Sequence, residues 1–188
     1  MIVLFFLGFF LVLFILGVLW VLIPAFFGPP SVPTKPDRIR KALTLANLQP
    51  GEMLYYLGAG NGRVLLIAAK EFGARSVGIE IGPIQCALIG LRIIASDIGN
   101  NVQIKLGNYF NADVKDADVV FIYATSREIE RLASHLEKQM KPGARVVSIS
   151  ADFPEWEPVE FDEEELIFIY SMPPTYGSLT TYLLKTSK

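Results

Sequence analysis

The sequence predicts an α/β protein. We expect a doubly wound, mostly parallel seven-stranded sheet with a C-terminal antiparallel hairpin, preceded by one N-terminal transmembrane helix. Three observations carry this. All 17 basic and 19 acidic side chains lie after residue 34, so a wholly apolar segment precedes an ordinary globular one. From Met53 onward, short apolar runs alternate with amphipathic stretches of helical period, the rhythm of a parallel sheet covered by helices. Three alternating glycines, Gly58, Gly60 and Gly62, follow the first of those runs and open a helix.

Composition narrows the function classes. The stretch after residue 34 is long enough for one full core and too short for two large domains. Hydrophobic content of 52% excludes a disordered chain. The net charge of −2 gives no reason to expect a nucleic-acid partner. With Cys86 and His135 as the only cysteine and histidine, an internal disulfide framework and a cysteine-rich zinc site are excluded, a multi-histidine metal site or a Ser-His triad has almost nothing to work with, and no metal is expected.

Residues 1–28 read as a membrane anchor. A helix over residues 2–27 is about 39 Å long at 1.5 Å per residue, against the roughly 20 residues a bilayer core needs. Trp20 suits an interfacial aromatic. A cleaved signal would need a basic start and a shorter apolar core. Lys35, Arg38, Arg40 and Lys41 follow the span against the single acid Asp37, so the N-terminus is expected outside and the domain in the cytoplasm. The same bases could touch anionic headgroups or simply form a solvated helix face.

Residues 29–36 are a Pro-rich linker and 37–188 the globular domain. A helix runs from Asp37 to Leu48 and stops at Gln49-Pro50-Gly51. Strands are expected at Met53–Leu57, Ser76–Glu80, Val102–Leu106, Asp118–Tyr123 and Arg145–Ser150. Helices fill Gly62–Phe72, Pro83–Ile98 and Ser126–Met140, with Gly73 and Lys141-Pro142-Gly143 as stops. Glu164–Ser171 and Leu179–Lys185 read as two further strands joined by the turn 172–178, which makes the terminal hairpin.

The glycine turn is the first candidate site. Glycine admits unusual backbone dihedrals and close approach of a ligand, and the helix N-terminus behind it offers free N–H groups. The spacing is G-x-G-x-G. Arg63 stands where a dinucleotide fingerprint wants its third glycine, and no P-loop lysine follows. The second strand ends in Glu80, the place from which an acid reaches ribose hydroxyls in a doubly wound sheet. After the third strand, Asn108 is placed for an adenine edge and Tyr109 for its face. Phe110 reads better as a core aromatic. At the end of the fourth strand lie Tyr123, Thr125 and Ser126. His135 reads as exposed and Cys86 as a small core residue. Residues 152–165 hold eight acids and no base, which is a solvated loop or a surface attracting a basic substrate.

The ordered set Val32-Pro33-Thr34, LGAGNGR (57–63), VGIEI (77–81), GNYF (107–110), VVFIYAT (119–125) and MKPGARVVS (140–148), behind an N-terminal anchor, resembles the class I S-adenosylmethionine-dependent methyltransferases. Within these it is similar to the archaeal and bacterial protein lysine methyltransferases. They are related to the mitochondrial membrane-anchored enzymes that modify ATP synthase c-subunit and the adenine nucleotide carrier. The resemblance covers roughly residues 30–156. It implies a Rossmann-like methyltransferase fold, S-adenosylmethionine as cofactor, and a lysine-bearing protein partner, a membrane protein among the candidates. Cofactor contacts would come from Tyr56, Gly58, Gly60, Asn61, Gly62, Glu80, Asn108 and Tyr109. Tyr123 and Thr125 would serve catalysis. Val32, Pro33, Thr34 and Trp156 would line the substrate pocket. Tyr56 departs from the family pattern, which has an acid at that position, and Ala59 and Asn61 replace a frequent Cys and Asp. Two alternatives stay open: an inactive methyltransferase-fold scaffold at the membrane, and a methyltransferase acting on a lipid or small molecule.

Overall fold

A computed structural model describes residues 2–27 and 34–186, with side chains for 6–18 and 34–186. The chain divides into two compact units, Met1–Val32 and Pro33–Lys188. The first is the helix α1, Ile2–Phe27, 26 residues without a charged side chain. Its described side chains stand exposed on every side, Phe6 to Val18. That described run is shorter than a bilayer core requires, and among the described residues no helix is long and apolar enough to cross a membrane.

The second unit begins with α2 (Pro36–Leu45) and then alternates as expected: β1 (Met53–Leu57), α3 (Arg63–Phe72), β2 (Arg75–Glu80), α4 (Pro83–Ala95) and β3 (Val102–Leu106). A 3-10 turn, Tyr109–Asn111, leads toward β4 (Val119–Tyr123), α5 (Ser126–Gln139) and β5 (Arg145–Ile149). The C-terminal part holds β6 (Trp156–Glu157), β7 (Glu160–Asp162), β8 (Ile167–Ser171), β9 (Thr175–Tyr176) and α6 (Leu179–Thr186). The main sheet has the order β3-β2-β1-β4-β5-β8-β7, and β6 and β9 pair separately. β1 to β5 are parallel, while β8 runs antiparallel to β5 and to β7.

Side chains alternate strictly between two buried faces, as strands covered on both sides must. Leu54, Tyr56, Phe121 and Val147 pack with α2, α3 and Ile89 and Ile93 of α4. Tyr55, Leu57, Val120, Ile122 and Tyr170 pack with Ile129, Leu132 and Leu136 of α5 and with Phe153 and Trp156. The chain leaves β1 toward β2 in one direction and returns to β4 on the other side. The switch therefore lies between β1 and β4, and ligands of such sheets bind outside the strands' carboxyl ends at that point.

The main sheet has seven strands, but one expected strand is absent and the terminal hairpin is a different one. Leu179–Lys185 is not a strand. Ser178 caps a helix there: its Oγ accepts from Thr181 N at 3.2 Å, and Tyr182 N donates to Ser178 O at 3.1 Å. β8 instead takes β7 as its outer partner. Phe161 stacks on Phe168 at 4.7 Å, and the Asp162 carboxylate accepts from Glu165 N at 2.9 Å to close the turn.

Candidate functional site

The glycine turn is held by its own neighbours. Gly58 N and Ala59 N donate to Ile79 O at 3.0 and 2.9 Å, and Gly62 N to Ala59 O at 2.8 Å. Gly58, Gly60 and Gly62 have φ of +82°, +54° and +76°, the left-handed region that costs other residues about 1–2 kcal/mol. Gly62 is doubly required, because a Cβ there would lie 3.0 Å from Ile89 of α4. At Gly58 the nearest heavy atom to such a Cβ is Tyr109 Cε1 at 3.9 Å, so the Tyr109 ring lies over the start of the turn.

Glu80 is the hub. Its Oε2 accepts from Gly60 N at 2.7 Å and its Oε1 from Gly82 N at 2.9 Å. One carboxylate thus ties the carboxyl end of β2 to the turn after β1, leaving lone pairs for further donors. Asn61 Oδ1 accepts from Arg63 N at 3.1 Å, and Arg92 of α4 donates to Asn61 O. Asn108 is exposed, and its amide oxygen accepts from Phe110 N at 3.0 Å.

Tyr56 sits buried among the side chains that face α2 and α3, edge-on to Phe121 at 5.3 Å. Burial, then Glu80 and Tyr123, push its phenol above the ordinary value, so it stays neutral near pH 7. Tyr123, half-buried, has the Arg38 guanidinium 5.9 Å above its ring. Arg38 also donates from Nη2 to Ser150 Oγ at 2.9 Å and from Nε to Glu165 O at 2.8 Å. At the other end of α2, Arg145 at the start of β5 donates to Ala46 O and Asn47 O at 2.8 Å. α2 therefore runs antiparallel to β5, with its N-terminus and buried Thr34 at the carboxyl end of the sheet. Val32 and Pro33 lie outside the described residues.

Thr125 is the first residue of a capping box: its N and Oγ1 donate to Glu128 Oε2 at 2.8 and 2.7 Å. Glu128 Oε1 accepts from Tyr109 OH at 2.6 Å. Burial opposes ionisation of Glu128, but the donors Tyr109 and Thr125 outweigh it and hold the carboxyl below its usual range. Tyr109 shifts up, by burial first and then by Glu128.

Two expectations fail. Trp156 does not line the pocket. It is fully buried in the α5-side core, stacked on Phe153 at 4.0 Å, with Nε1 donating to Glu137 at 2.9 Å near the end of α5 remote from Thr125. His135 is half-buried rather than exposed, and its Nε2 pairs with Ala112 O at 2.8 Å. Glu128, Arg38 and Ser150 were missed. The Thr125-x-x-Glu128 spacing is a legible capping signal for the first. Nothing in the sequence marks Arg38 or Ser150, because their contact spans 112 residues.

Comparison with known proteins decides the family. The ANTKMT methyltransferase domain profile matches residues 57–160. A protein-lysine N-methyltransferase of Saccharolobus islandicus (strain REY15A) is 34% identical over 132 residues, covering 70% of this chain and 82% of the relative.

The chain belongs to the ANTKMT methyltransferase domain family.

It is an S-adenosylmethionine-dependent methyltransferase. The adenine nucleotide translocase lysine N-methyltransferase of Mus musculus is 28% identical, over 73% of this chain and 59% of that one. Among solved structures, an RNA methyltransferase from Salinibacter ruber bound to S-adenosyl-L-homocysteine matches with a TM-score of 0.73 and 33% identity. It covers 76% of this chain and 94% of the other. The site fits the cofactor. The turn is preformed without a side chain to fill it at Gly58, and the Glu80 carboxylate stands beside it for ribose hydroxyls. Glu80 and, through Tyr109, Glu128 put carboxylates near the turn, whereas the neutral Tyr56 phenol carries no charge.

Proposed function

We propose that this protein transfers methyl groups from S-adenosylmethionine to lysine side chains of proteins, and that α1 holds it to a membrane with the domain on the cytoplasmic side. The observation that carries the methyltransferase chemistry is Glu80 bound to Gly60 N at the switch of the sheet. Lysine as acceptor draws on the names of the Saccharolobus and mouse relatives. The Salinibacter relative is named for RNA. Here a net charge of −2 supplies little of the cationic surface that a phosphate backbone demands, which favours protein.

The cofactor would supply an electrophilic methyl group on a positive sulfur, which takes the C–S electron pair and leaves as the neutral thioether. The chain's task is to hold a neutral amine in line with that methyl. A free lysine, with a pKa of about 10.4, is protonated near neutrality. An amine resting against the Tyr123 ring would have the Arg38 guanidinium as neighbour, and both a like charge and loss of water favour its neutral form. No protein base is needed for the displacement. His135 and Cys86 take no part: the first holds Ala112 O, and the Cys86 thiol points at Glu80 O at 3.5 Å, its pKa raised by burial.

Anchoring draws on α1. A 26-residue uncharged helix, apolar on every described side, is stable only where something apolar covers it, and a bilayer does so over its whole length. The Lys/Arg excess at residues 35–41 supports the cytoplasmic orientation.

The test supplies methyl-labelled S-adenosylmethionine to the full chain with membrane proteins, lipid extract and RNA from the same cells. We expect label in methylated lysine and its loss with Glu80→Ala. Label confined to RNA or lipid would overturn the lysine reading. No label anywhere, from protein that binds no S-adenosylhomocysteine, would leave only a scaffold.

A further inference from the structure

Helix α4 is apolar on both of its faces. Ile89 and Ile93 are buried toward α3 and the sheet. On the opposite face, at 100° per residue, Ile84, Leu88, Leu91 and Ala95 fall on one line, and all are exposed. Leu91 is 64% and neighbouring Ile94 78% exposed. Arg92 is the one charged side chain in Pro83–Ala95. Leu106, at the carboxyl end of the adjoining strand β3, is exposed as well. A helix apolar all round is normally covered all round, and a contiguous exposed apolar stripe marks an interaction surface.

We infer that this face of α4 lies in the headgroup–acyl boundary of the bilayer that α1 enters, an inference that rests on the anchoring reading. Two observations favour lipid over another occupant. The chain between Phe27 and Thr34 is so short that, fully extended, it reaches only about 25 Å. On the anchoring reading, that reach bounds how far the domain can stand from the membrane surface. The edge of the stripe is also cationic. Arg92 borders Leu88 on the helix surface, and Asn61, which accepts from Arg92 through its backbone oxygen, holds the backbone of exposed Arg63 through its side chain. An apolar face with a basic border is the pattern of a helix lying in a membrane interface, buried about 5–10 Å deep. The geometry has a consequence for specificity. α4 starts three residues after Glu80 closes β2, so the stripe begins beside the glycine turn. With α4 on the lipid, the site opens at the headgroup layer, and its acceptors are lysines that membrane proteins present there.

The test uses the full chain in vesicles of phosphatidylcholine and phosphatidylserine. Nitroxide labels are placed one at a time on a Cys86→Ala parent: at Leu91→Cys, at Ile94→Cys as a second position, at Thr44→Cys on α2, and at Phe10→Cys in α1. Power saturation compares contact with lipid-soluble oxygen and with a water-soluble nickel chelate. We expect the α4 and α1 labels to favour oxygen and the Thr44 label to favour nickel. An oxygen-favouring α1 label with nickel-favouring α4 labels overturns this inference alone. A nickel-favouring α1 label overturns the anchoring reading and this inference with it. An α4 label shielded from both agents and dipolar-coupled to its copy overturns it in favour of self-association.

Discussion

Glu80 and Gly62 are the residues on which the site turns. Each Glu80 oxygen accepts one backbone N–H, and hydrogen bonds to a charged group contribute about 1.5–3 kcal/mol each. Glu80→Ala frees the turn after β1 and, on the proposed reading, would remove the acceptor for the ribose as well. We expect at least a tenfold loss of S-adenosylmethionine affinity in calorimetric titration, since about 1.4 kcal/mol is a factor of ten. Affinity within twofold of the parent would show that the nucleoside is held elsewhere. Gly62→Ala acts on stability instead. A φ of +76° and a contact 3.0 Å from Ile89 should cost about 1–3 kcal/mol, read as a lowered melting temperature of the domain. These two residues were legible in the sequence because their chemistry is local: glycines after a strand, and an acid at a strand end. The partners of Tyr109 and Thr125 were less so. Glu128 binds both, and only the capping spacing pointed to it.

α2 shows what sequence reading loses at the scale of an element. The helix was legible, and its bases read either as a headgroup-touching cluster or as a solvated helix face. In the structure they are largely spent on the protein's own acids: Arg40 on Asp37 and Glu71, Lys41 on Asp162 and Glu164, and Arg38 on Glu165. The acidic stretch 152–165 is correspondingly not a free loop. It contains β6 and β7 and clamps α2 onto the sheet. Pairing across more than a hundred residues has no sequence period, so neither half announces the other. The same holds for Trp156, where a position near the pocket in sequence proved to be a core position in space. Most of these ion pairs are exposed and contribute little stability. Arg38 differs, because it bridges Ser150, Glu165 and the face of Tyr123 at the carboxyl end of the sheet. Arg38→Met keeps much of the packing of the arginine stem and removes the bridge. We expect kcat/KM for the protein acceptor to fall by about tenfold or more, the scale of a misplaced positioning group. S-adenosylmethionine affinity should stay within twofold. Equal losses in both would place Arg38 in the fold rather than in acceptor positioning.

At the scale of the whole molecule, the two units divide the proton linkage unequally. α1 has no charged side chain, so every acid-sensitive contact belongs to the unit Pro33–Lys188. Among the paired, half-buried carboxylates there are Asp118 and Glu128. Asp118 accepts from Met53 N at 2.7 Å and from Lys141 Nζ at 2.6 Å, joining the starts of β4 and β1. Glu128 joins the start of α5 to Tyr109. Burial alone would raise both, but their donors prevail, so both titrate below the usual carboxylate range when folded. The unfolded chain, with Asp near 3.9 and Glu near 4.3, then binds more protons than the folded one. Stability contributed by these groups is complete above about pH 5 and is lost as pH falls through the depressed folded values. The melting temperature of the domain should be flat from pH 7 to about 5 and fall steeply below about 4. Asp118→Asn separates linkage from packing, since it keeps the shape and removes the charge. We expect it to lower the melting temperature at pH 7 and to shallow the acid limb. A variant with an unchanged acid limb would assign that limb to exposed pairs such as Glu71 with Arg40. The Glu71 carboxyl is also depressed, by Arg40, but its pairing is screened by salt. Repeating the titration in high salt then decides between them, because the half-buried Asp118 and Glu128 limb persists where an exposed one fades.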